Sequence, residues 1–378
     1  MNAGNAKTKG RVHSLSEGRG TFLQGISLLQ KLHSPRFSPI YTLRPPDMSG
    51  RDTTDFVVVC GAGGFIGGHL VADLRRQGYR RIRAVDCKPQ TEWYQRFSDV
   101  ENVVLDLEDK PACYTALQGA DLVYNLAADM GGMGFIELNK GSLHAERADQ
   151  HPPVDGRPGP RGPTFLLRIV RLRLQRGQTS AIPTSPPSTE ADAYPALPED
   201  GYGWEKLFSE RMCRHFREDF GIATRVARYH NVYGPHGTFE GGREKAPAAI
   251  CRKVIAAKFT GKHEIEIWGD GQQTRSFMYI DDCLHGTQTL THSDCLEPLN
   301  IGSSELVSIN QLVDIVEQIG DIRLNRSYNL SAPKGVNGRN SDNTLIQATL
   351  GWEPSTRLRD GLERTYAWIH DQMAPRYA

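Results

Sequence analysis

The hydrophobic positions change period within "DFVVVCGAGGFIGGHLVADLRRQGYRRIRAVDC". Val57, Val58 and Val59 form an unbroken apolar run, the pattern of a strand buried on both faces. Ile66, Leu70, Val71 and Leu74 then recur at the spacing of one helical face, before a second strand ends at Asp86. "VVLDLED" reads as a further strand end, and "DLVYNLAADMGGMG" as an apolar run from Leu122 to Leu126 closing in the small Ala127 and Ala128. Near the carboxyl end, "SINQLVDIVEQIG" and "LRDGLERTYAWIHDQM" are amphipathic helices, the first with Ser308 as its N-cap. Buried strands alternating with helices predict an α/β fold around a parallel sheet.

Between the first strand and helix stand Gly61, Gly64 and Gly67. The first permits a tight turn, the second lets backbone approach a pyrophosphate, and the third lets the helix pack on the sheet. Phe65 and Ile66 then open the helix, whose N–H groups face the anion. A lone glycine triplet is commonly an ordinary loop. Here the strand before it, the helix after it and an acid about 20 residues on agree. Asp86 can accept hydrogen bonds from a ribose 2'-hydroxyl and would repel a 2'-phosphate, which favours NAD over NADP. Asp106 and Leu107 could bind an adenine amino group, and Ala127 is small enough for the cofactor to lie against it; either could equally be core packing. The expected architecture is a Rossmann-type doubly wound parallel sheet over residues 48–235, followed by a smaller α/β substrate domain, mainly nucleotide-sugar-binding, over 236–378.

Composition narrows the class. A chain of 378 residues with a formal net charge of +1 has no general attraction for nucleic acid or an anionic membrane, and no apolar run is long enough to span one. Seven cysteines form no CxxC pair and are odd in number, which fits free thiols in a reducing cytosol and argues against a zinc site; no metal is expected. Residues 1–47 are basic, glycine- and serine-rich and nearly free of acids. They read either as a transit peptide or as an appendage upstream of the true start at Met48; the second is favoured, because the ordered pattern begins a few residues after Met48.

"EDGYGWEKLFSERMCRHF" places Tyr202 and Lys206 at i and i+4 on one helical face. A phenol is a poor base at neutral pH, but an adjacent ammonium and an oxidised nicotinamide both favour the phenolate. Tyr202 could then take a proton from a sugar hydroxyl. The pattern alone arises often by chance as a surface pair; behind a glycine fingerprint at suitable distance, chance is a poor explanation.

With these motifs together the chain resembles the extended short-chain dehydrogenase/reductases (NAD-dependent epimerase/dehydratases), and among them the GDP-mannose 3,5-epimerases. The resemblance covers residues 55–140 and about 189–371, most specifically "NLAADMGGMGFIE", "RYHNVYGPHGTFEGGREKAPAAICRK", "WGDGQQTRSFMYIDD" and "GVNGRNSDNTLI". It implies oxidation of the mannosyl C4' hydroxyl with tightly held NAD, proton removal and return at C3' and C5' by an acid/base pair on opposite faces of the ring, and final reduction of the ketone. It assigns one acid/base role to Lys245 and substrate contacts to Gly131, Asn231, Glu244, Lys245, Ala246, Lys253, Gln273, Arg275 and Arg339. Chemistry agrees: a diphosphate needs cations, which Lys253, Arg275 and Arg339 offer in loops otherwise rich in glycine and asparagine. An amine that must take a proton needs a lowered proton affinity, which partial desolvation supplies. The alternative is that these are solvated loop charges. The family's members are commonly dimers, so a cytoplasmic homodimer is expected. Rival readings are another nucleotide-sugar epimerase or dehydratase, and a noncatalytic NAD- or nucleotide-sugar-binding protein.

Between "FIELNK" and "STEADAYPALPED" the family pattern disappears. The second acid/base residue, a cysteine in a Ser-Ser-Ala-Cys sequence, should fall near Leu172 and Arg173. Pro152, Pro153, Pro158, Pro160 and Pro163 forbid the expected helix, and "RGPTFLLRIVRLRLQRGQ" alternates arginines with aliphatics where a buried strand should be apolar. Reading each codon one nucleotide later from Gly141 to Gln175 permits "ALCMLSVLINTHLLMAAR", two uncertain residues, and "GVRRFFYASSACVY". That string is a helix, an apolar strand and the missing cysteine motif. The segment 141–187 therefore reads as frame-shifted, with frame restored before Ser188. As written it is expected to lack a central helix, a sheet strand and one acid/base group.

Overall fold

The computed structural model describes residues 52–128, 164–170, 187–195, 200–332, 338 and 340–377, with backbone alone for 164–170 and 200–202. Gly131 and Arg339, the N-terminal extension and most of 141–187, including Leu172 and Arg173, lie outside the described residues. Residues 51–378 form one compact unit.

The glycine-bearing stretch folds as its pattern requires: β1 (Phe56–Cys60), α1 (Phe65–Arg76) and β2 (Arg81–Asp86). There follow β3 (Glu101–Val104), α2 (Lys110–Leu117), β4 (Leu122–Asn125), β5 (Thr164–Val170), α3 (Asp200–Phe220) and β6 (Ala223–Tyr229). These strands pair parallel in the order β6-β5-β4-β1-β2-β3. Strand order reverses beside β1, so the ends of β1 and β4 open the crevice where dinucleotides bind in such folds.

Both faces of the sheet are covered, which is why β1 is apolar throughout. Val57 and Val59 face a core with Leu70 and Leu74 of α1, while Val58 and Cys60 face a second core with Cys213 of α3. Each fully buried valine contributes roughly 1.5–3 kcal/mol.

Strand β5 corrects one expectation. The segment as written does supply the strand between β4 and β6, with Leu122↔Thr164 and Thr164↔Ala223 among its pairs. The physical reason is where the arginines fall. Only Arg168 lies within Thr164–Val170, and the rest of that run is apolar or β-branched, whereas Arg171 and Arg173 come after its end.

The carboxyl-terminal portion returns to this sheet. After β7 (Asn231–Tyr233), α4 (Ala246–Thr260), β8 (Glu264–Trp268), β9 (Thr274–Tyr279) and α5 (Ile280–Thr291), β10 (Leu299–Ile301) adds a parallel edge beside β6. Gln288 of α5 donates to Asp73 of α1, fastening that return. The remainder comprises β11 (Leu306–Ser308), α6 (Ile309–Gly320), β12 (Asn325–Asn329), α7 (Thr344–Leu350) and α8 (Leu358–Met373). Small sheets β11-β9-β7 and β12-β8 complete it. Ser308 caps α6 as its sequence suggests: its hydroxyl accepts from Gln311 N, and the Gln311 side chain accepts from Ser308 N. No described helix is long and apolar enough to cross a membrane.

Candidate active site

Geometry at the end of β1 leaves no room for side chains at two of the three glycines. Gly61 has φ +79°, and a Cβ there would stand 2.8 Å from the Ala127 nitrogen, so the turn lies directly against the small residues after β4. At Gly67 a Cβ would come within 2.1 Å of the Gly61 carbonyl oxygen, which forces glycine where α1 crosses the turn. Gly64 differs. A Cβ there would meet only the Gly61 oxygen, at 3.1 Å, among the described residues, so its outer side is open to a ligand. Gly64 is also the N-cap of α1, with no side-chain cap and no acid in the first turn, leaving the helix start at Phe65 and Ile66 suited to phosphate.

Asp86 closes β2 and is 8% exposed, its Oδ1 accepting from Lys88 N at 3.0 Å. Lys88 Nζ in turn reaches the Gly63 carbonyl at 3.4 Å. Asp106 is exposed, and its Oδ1 accepts from Glu108 N at 3.0 Å; Leu107 packs into the core beneath the sheet. These residues fit a dinucleotide: an uncapped helix start, an open glycine and an acid at the second strand end. Burial, reinforced by Cys113 and Asp86, pushes the Cys60 thiol up to about 12, so beside the turn it is a packing group. Sequence reasoning missed Trp93, whose indole leaves no space for a Cβ at Gly63 and donates Nε1 to Lys88 O at 3.1 Å. Nothing in its surroundings along the chain singles it out.

The α3 backbone carries Tyr202 and Lys206 one turn apart. Lys206 is 3% exposed, its Nζ 2.8 Å from Glu205 Oε2 and 3.1 Å from Oε1. Glu205, which also accepts from Ser209 Oγ at 3.3 Å, is a second residue the sequence reading did not single out. It keeps the buried ammonium paired.

The remaining candidates are placed by the pairing of β7 with β9 and by side-chain hydrogen bonds to β8. Parallel pairing of β7 with β9 sets Asn231 opposite Phe277, and Asn231 Nδ2 donates to Ser276 O at 3.2 Å, beside Arg275. Arg275 is buried; desolvation lowers its pKa to about 10, so the guanidinium is still charged at neutral pH. Lys253 Nζ donates to Glu266 O at 2.7 Å on β8, and Gln273 Nε2 donates to Trp268 O at 2.9 Å at the end of that strand. Among the described residues Gln273 Oε1 is buried without a hydrogen-bond partner, which suits a polar ligand. Burial lowers the Lys253 pKa from the usual lysine value.

Lys245 stands at the start of α4. It is the N-cap of α4, with Ala246 first in the helix, about 12 Å along the axis from Lys253. Glu244 is engaged at both oxygens, accepting from Gly242 N at 2.7 Å and pairing with Arg252 at 3.1 Å. It braces the loop that presents Lys245.

Known proteins share this fold and much of the sequence. The NAD dependent epimerase/dehydratase family model matches residues 57–141 and 176–302, leaving out 142–175, the greater part of the stretch where the pattern is lost. "GDP-mannose 3,5-epimerase 1" of Oryza sativa subsp. japonica is 42% identical over 328 residues, covering 84% of this chain and 82% of the rice protein. Among solved structures, a UDP-glucose 4-epimerase from Thermotoga maritima superposes with a TM-score of 0.72 at 21% identity, covering 84% of this chain and 99% of that one. A UDP-glucuronic acid 4-epimerase from Bacillus cereus, in complex with UDP-glucuronic acid and NAD, has a TM-score of 0.63 at 25% identity, with coverage of 84% and 99%. The family match over both halves of the chain, the 42% identity and the shared fold thus place this chain as a member of the NAD dependent epimerase/dehydratase family, an NAD-using nucleotide-sugar epimerase by descent.

Proposed function

We propose that the chain is built to epimerise GDP-mannose at C3' and C5' through a 4-keto intermediate, giving GDP-L-galactose. The observation that carries this reading is the 42% identity with the rice enzyme, which spans 84% of this chain. Bound NAD supplies the hydride acceptor for the C4' hydrogen. Tyr202 takes the hydroxyl proton, and the Lys206 ammonium beside it favours the phenolate. A ketone at C4' acidifies the neighbouring C–H bonds, and Lys245 serves as one of the two acid/base groups that remove and return those protons. Lys253, Arg275 and Arg339 hold the diphosphate; Gly131, Asn231, Glu244, Ala246 and Gln273 line the rest of the substrate site, residues 236–378 forming most of it. On the cofactor side, Gly61, Gly64, Phe65, Ile66 and Gly67 hold the pyrophosphate, Asp86 the ribose, Asp106 and Leu107 the adenine, and Ala127 the face opposite. The enzyme works as a cytoplasmic homodimer.

The second acid/base group belongs to the segment 141–187, which we read as frame-shifted. With this segment as written, the protein retains the groups for C4' oxidation and lacks the cysteine, so C5' epimerisation is lost. Two measurements test the reading. Resequencing the gene should yield a shifted frame containing the Ser-Ser-Ala-Cys motif; a clean read whose shifted frame contains stops rejects the frameshift. Mass spectrometry after incubation with GDP-mannose in heavy water should show deuterium at both carbons and GDP-L-galactose with the shifted-frame segment. With the segment as written there should be no GDP-L-galactose. Binding without any exchange by the repaired protein would make it a binding module instead.

A further inference from the structure

A chain of hydrogen bonds outside the reacting groups joins the Tyr–Lys helix to the loop that carries Arg339. It begins at Glu210, one turn beyond Lys206 on α3 and 5% exposed. Arg228 of β6, 6% exposed, grips it with two bonds, Nε to Oε2 at 2.9 Å and Nη2 to Oε1 at 2.7 Å. The third arm of the same guanidinium, Nη1, donates to Glu190 O at 2.9 Å. Glu190 passes the connection on, its Oε1 accepting from Asn300 N at 2.8 Å. Asn300 Nδ2 then donates to Ser188 O at 3.0 Å, and Ser188 pairs with the far loop, donating N to Asn340 O at 3.2 Å and accepting at its carbonyl from Asp342 N at 3.0 Å. Tyr194 Oη adds a longer bond to Glu210 Oε1 at 3.4 Å.

A buried ion pair is weak evidence for stability, because desolvation offsets much of the attraction. Its use here is geometric. The guanidinium is a rigid planar fork that can hold a carboxylate on one edge while a remaining N–H reaches a carbonyl, which an ammonium cannot reproduce. Arg228 thus sits between the helix that must set Tyr202 against the C4' hydroxyl and the 188–190 segment that holds residues 340–342, next to Arg339.

We propose that Glu210 and Arg228 are positioning residues for C4' oxidation: the pair fixes α3 relative to the 340–342 loop, so that anchoring the diphosphate also aligns the sugar with Tyr202. This rests on the function proposed above. The first variant is Arg228→Lys, which keeps the buried charge paired and loses the fork. The second is E210M/R228M, which removes both charges at similar volume, an exchange that folded proteins tolerate well. Both are made in the full chain and mixed with GDP-mannose and saturating NAD while nicotinamide reduction is followed, a half-reaction that does not require the missing cysteine. Thermal midpoint and NAD affinity are measured alongside.

We expect reduction at saturating GDP-mannose to slow on the order of 10- to 100-fold, the scale of a misplaced reacting group. NAD affinity should stay within about twofold of the unaltered chain's, and the thermal midpoint of Arg228→Lys should be close to it. A purely structural pair would lower the midpoint or the folded fraction and leave the rate per NAD-binding molecule unchanged. That result in either variant overturns the inference. If the unaltered chain itself shows no reduction by GDP-mannose, the proposed function fails first, so the two failures are distinct.

Discussion

Around the glycine turn the chain offers a ligand chiefly main chain, whereas between β7 and β9 it offers side chains. Gly61, Gly64 and Gly67 matter for what they lack: a Cβ would strike backbone at the first and third, and the second leaves the helix start open. Asn231, Lys253, Gln273 and Arg275 matter for what they carry, and contacts among four elements, β7 with β9, α4 with β8 and the start of β9 with the end of β8, set their places. A backbone-built half admits almost no substitution, since moving a turn displaces every donor at once. A side-chain-built half degrades in steps. Tyr202 and Lys206, on α3, belong in the proposed function to the step that joins cofactor and sugar.

That contrast orders the expected effects. Tyr202→Phe removes the proposed proton acceptor of C4' oxidation, and nicotinamide reduction by GDP-mannose should slow about 10²- to 10⁴-fold with NAD affinity nearly unchanged. A rate within threefold of the unaltered chain's would separate the Tyr–Lys helix from the chemistry. Gly67→Ala must push α1 off the turn, and calorimetry should register a loss of NAD affinity on the order of 100-fold, equivalent to one or two charge-assisted hydrogen bonds. Retained affinity would mean that the turn is not the pyrophosphate cradle.

On the side-chain half the changes are milder. Lys253→Met should raise the KM for GDP-mannose about tenfold and leave kcat nearly constant, the signature of a contact made equally in ground and transition states. A fall in kcat without a change in KM would move Lys253 out of substrate binding. The smallest effect concerns pH. Burial holds the Lys253 pKa below the ordinary lysine value, so its cation is lost at a lower pH than that of an exposed lysine. The KM for GDP-mannose should therefore climb at a pH below the usual lysine range, and that rise should be missing in Lys253→Met. Steady-state assays of both proteins across alkaline pH measure it.

The same contrast explains what could be read from the chain. Period and glycine spacing are local, so β1, α1, β2 and the Asp86 position were legible, as were the Ser308 cap and the helix Leu358–Met373. Side-chain assembly is nonlocal. No spacing announces that Asn231 will reach Ser276 across β7 and β9, or that Glu210 will meet Arg228 from the next element. Without the resemblance to known enzymes, Lys253, Gln273 and Arg275 would have stayed three unconnected polar residues. Trp93 and Glu205 escaped for a related reason: one acts by excluding a Cβ from Gly63, the other by pairing with its chain neighbour, and neither belongs to a motif of the reaction. At β5 the reading of arginines as incompatible with a buried strand was too broad, since a strand position is decided residue by residue and most of the arginines lie beyond Val170.

The most direct test of the account is to mix the purified chain with NAD and GDP-mannose and follow the nicotinamide spectrum. The account predicts reduction of the nicotinamide dependent on GDP-mannose, abolished in Tyr202→Phe. Binding of both ligands with no spectral change at any sugar concentration would contradict it.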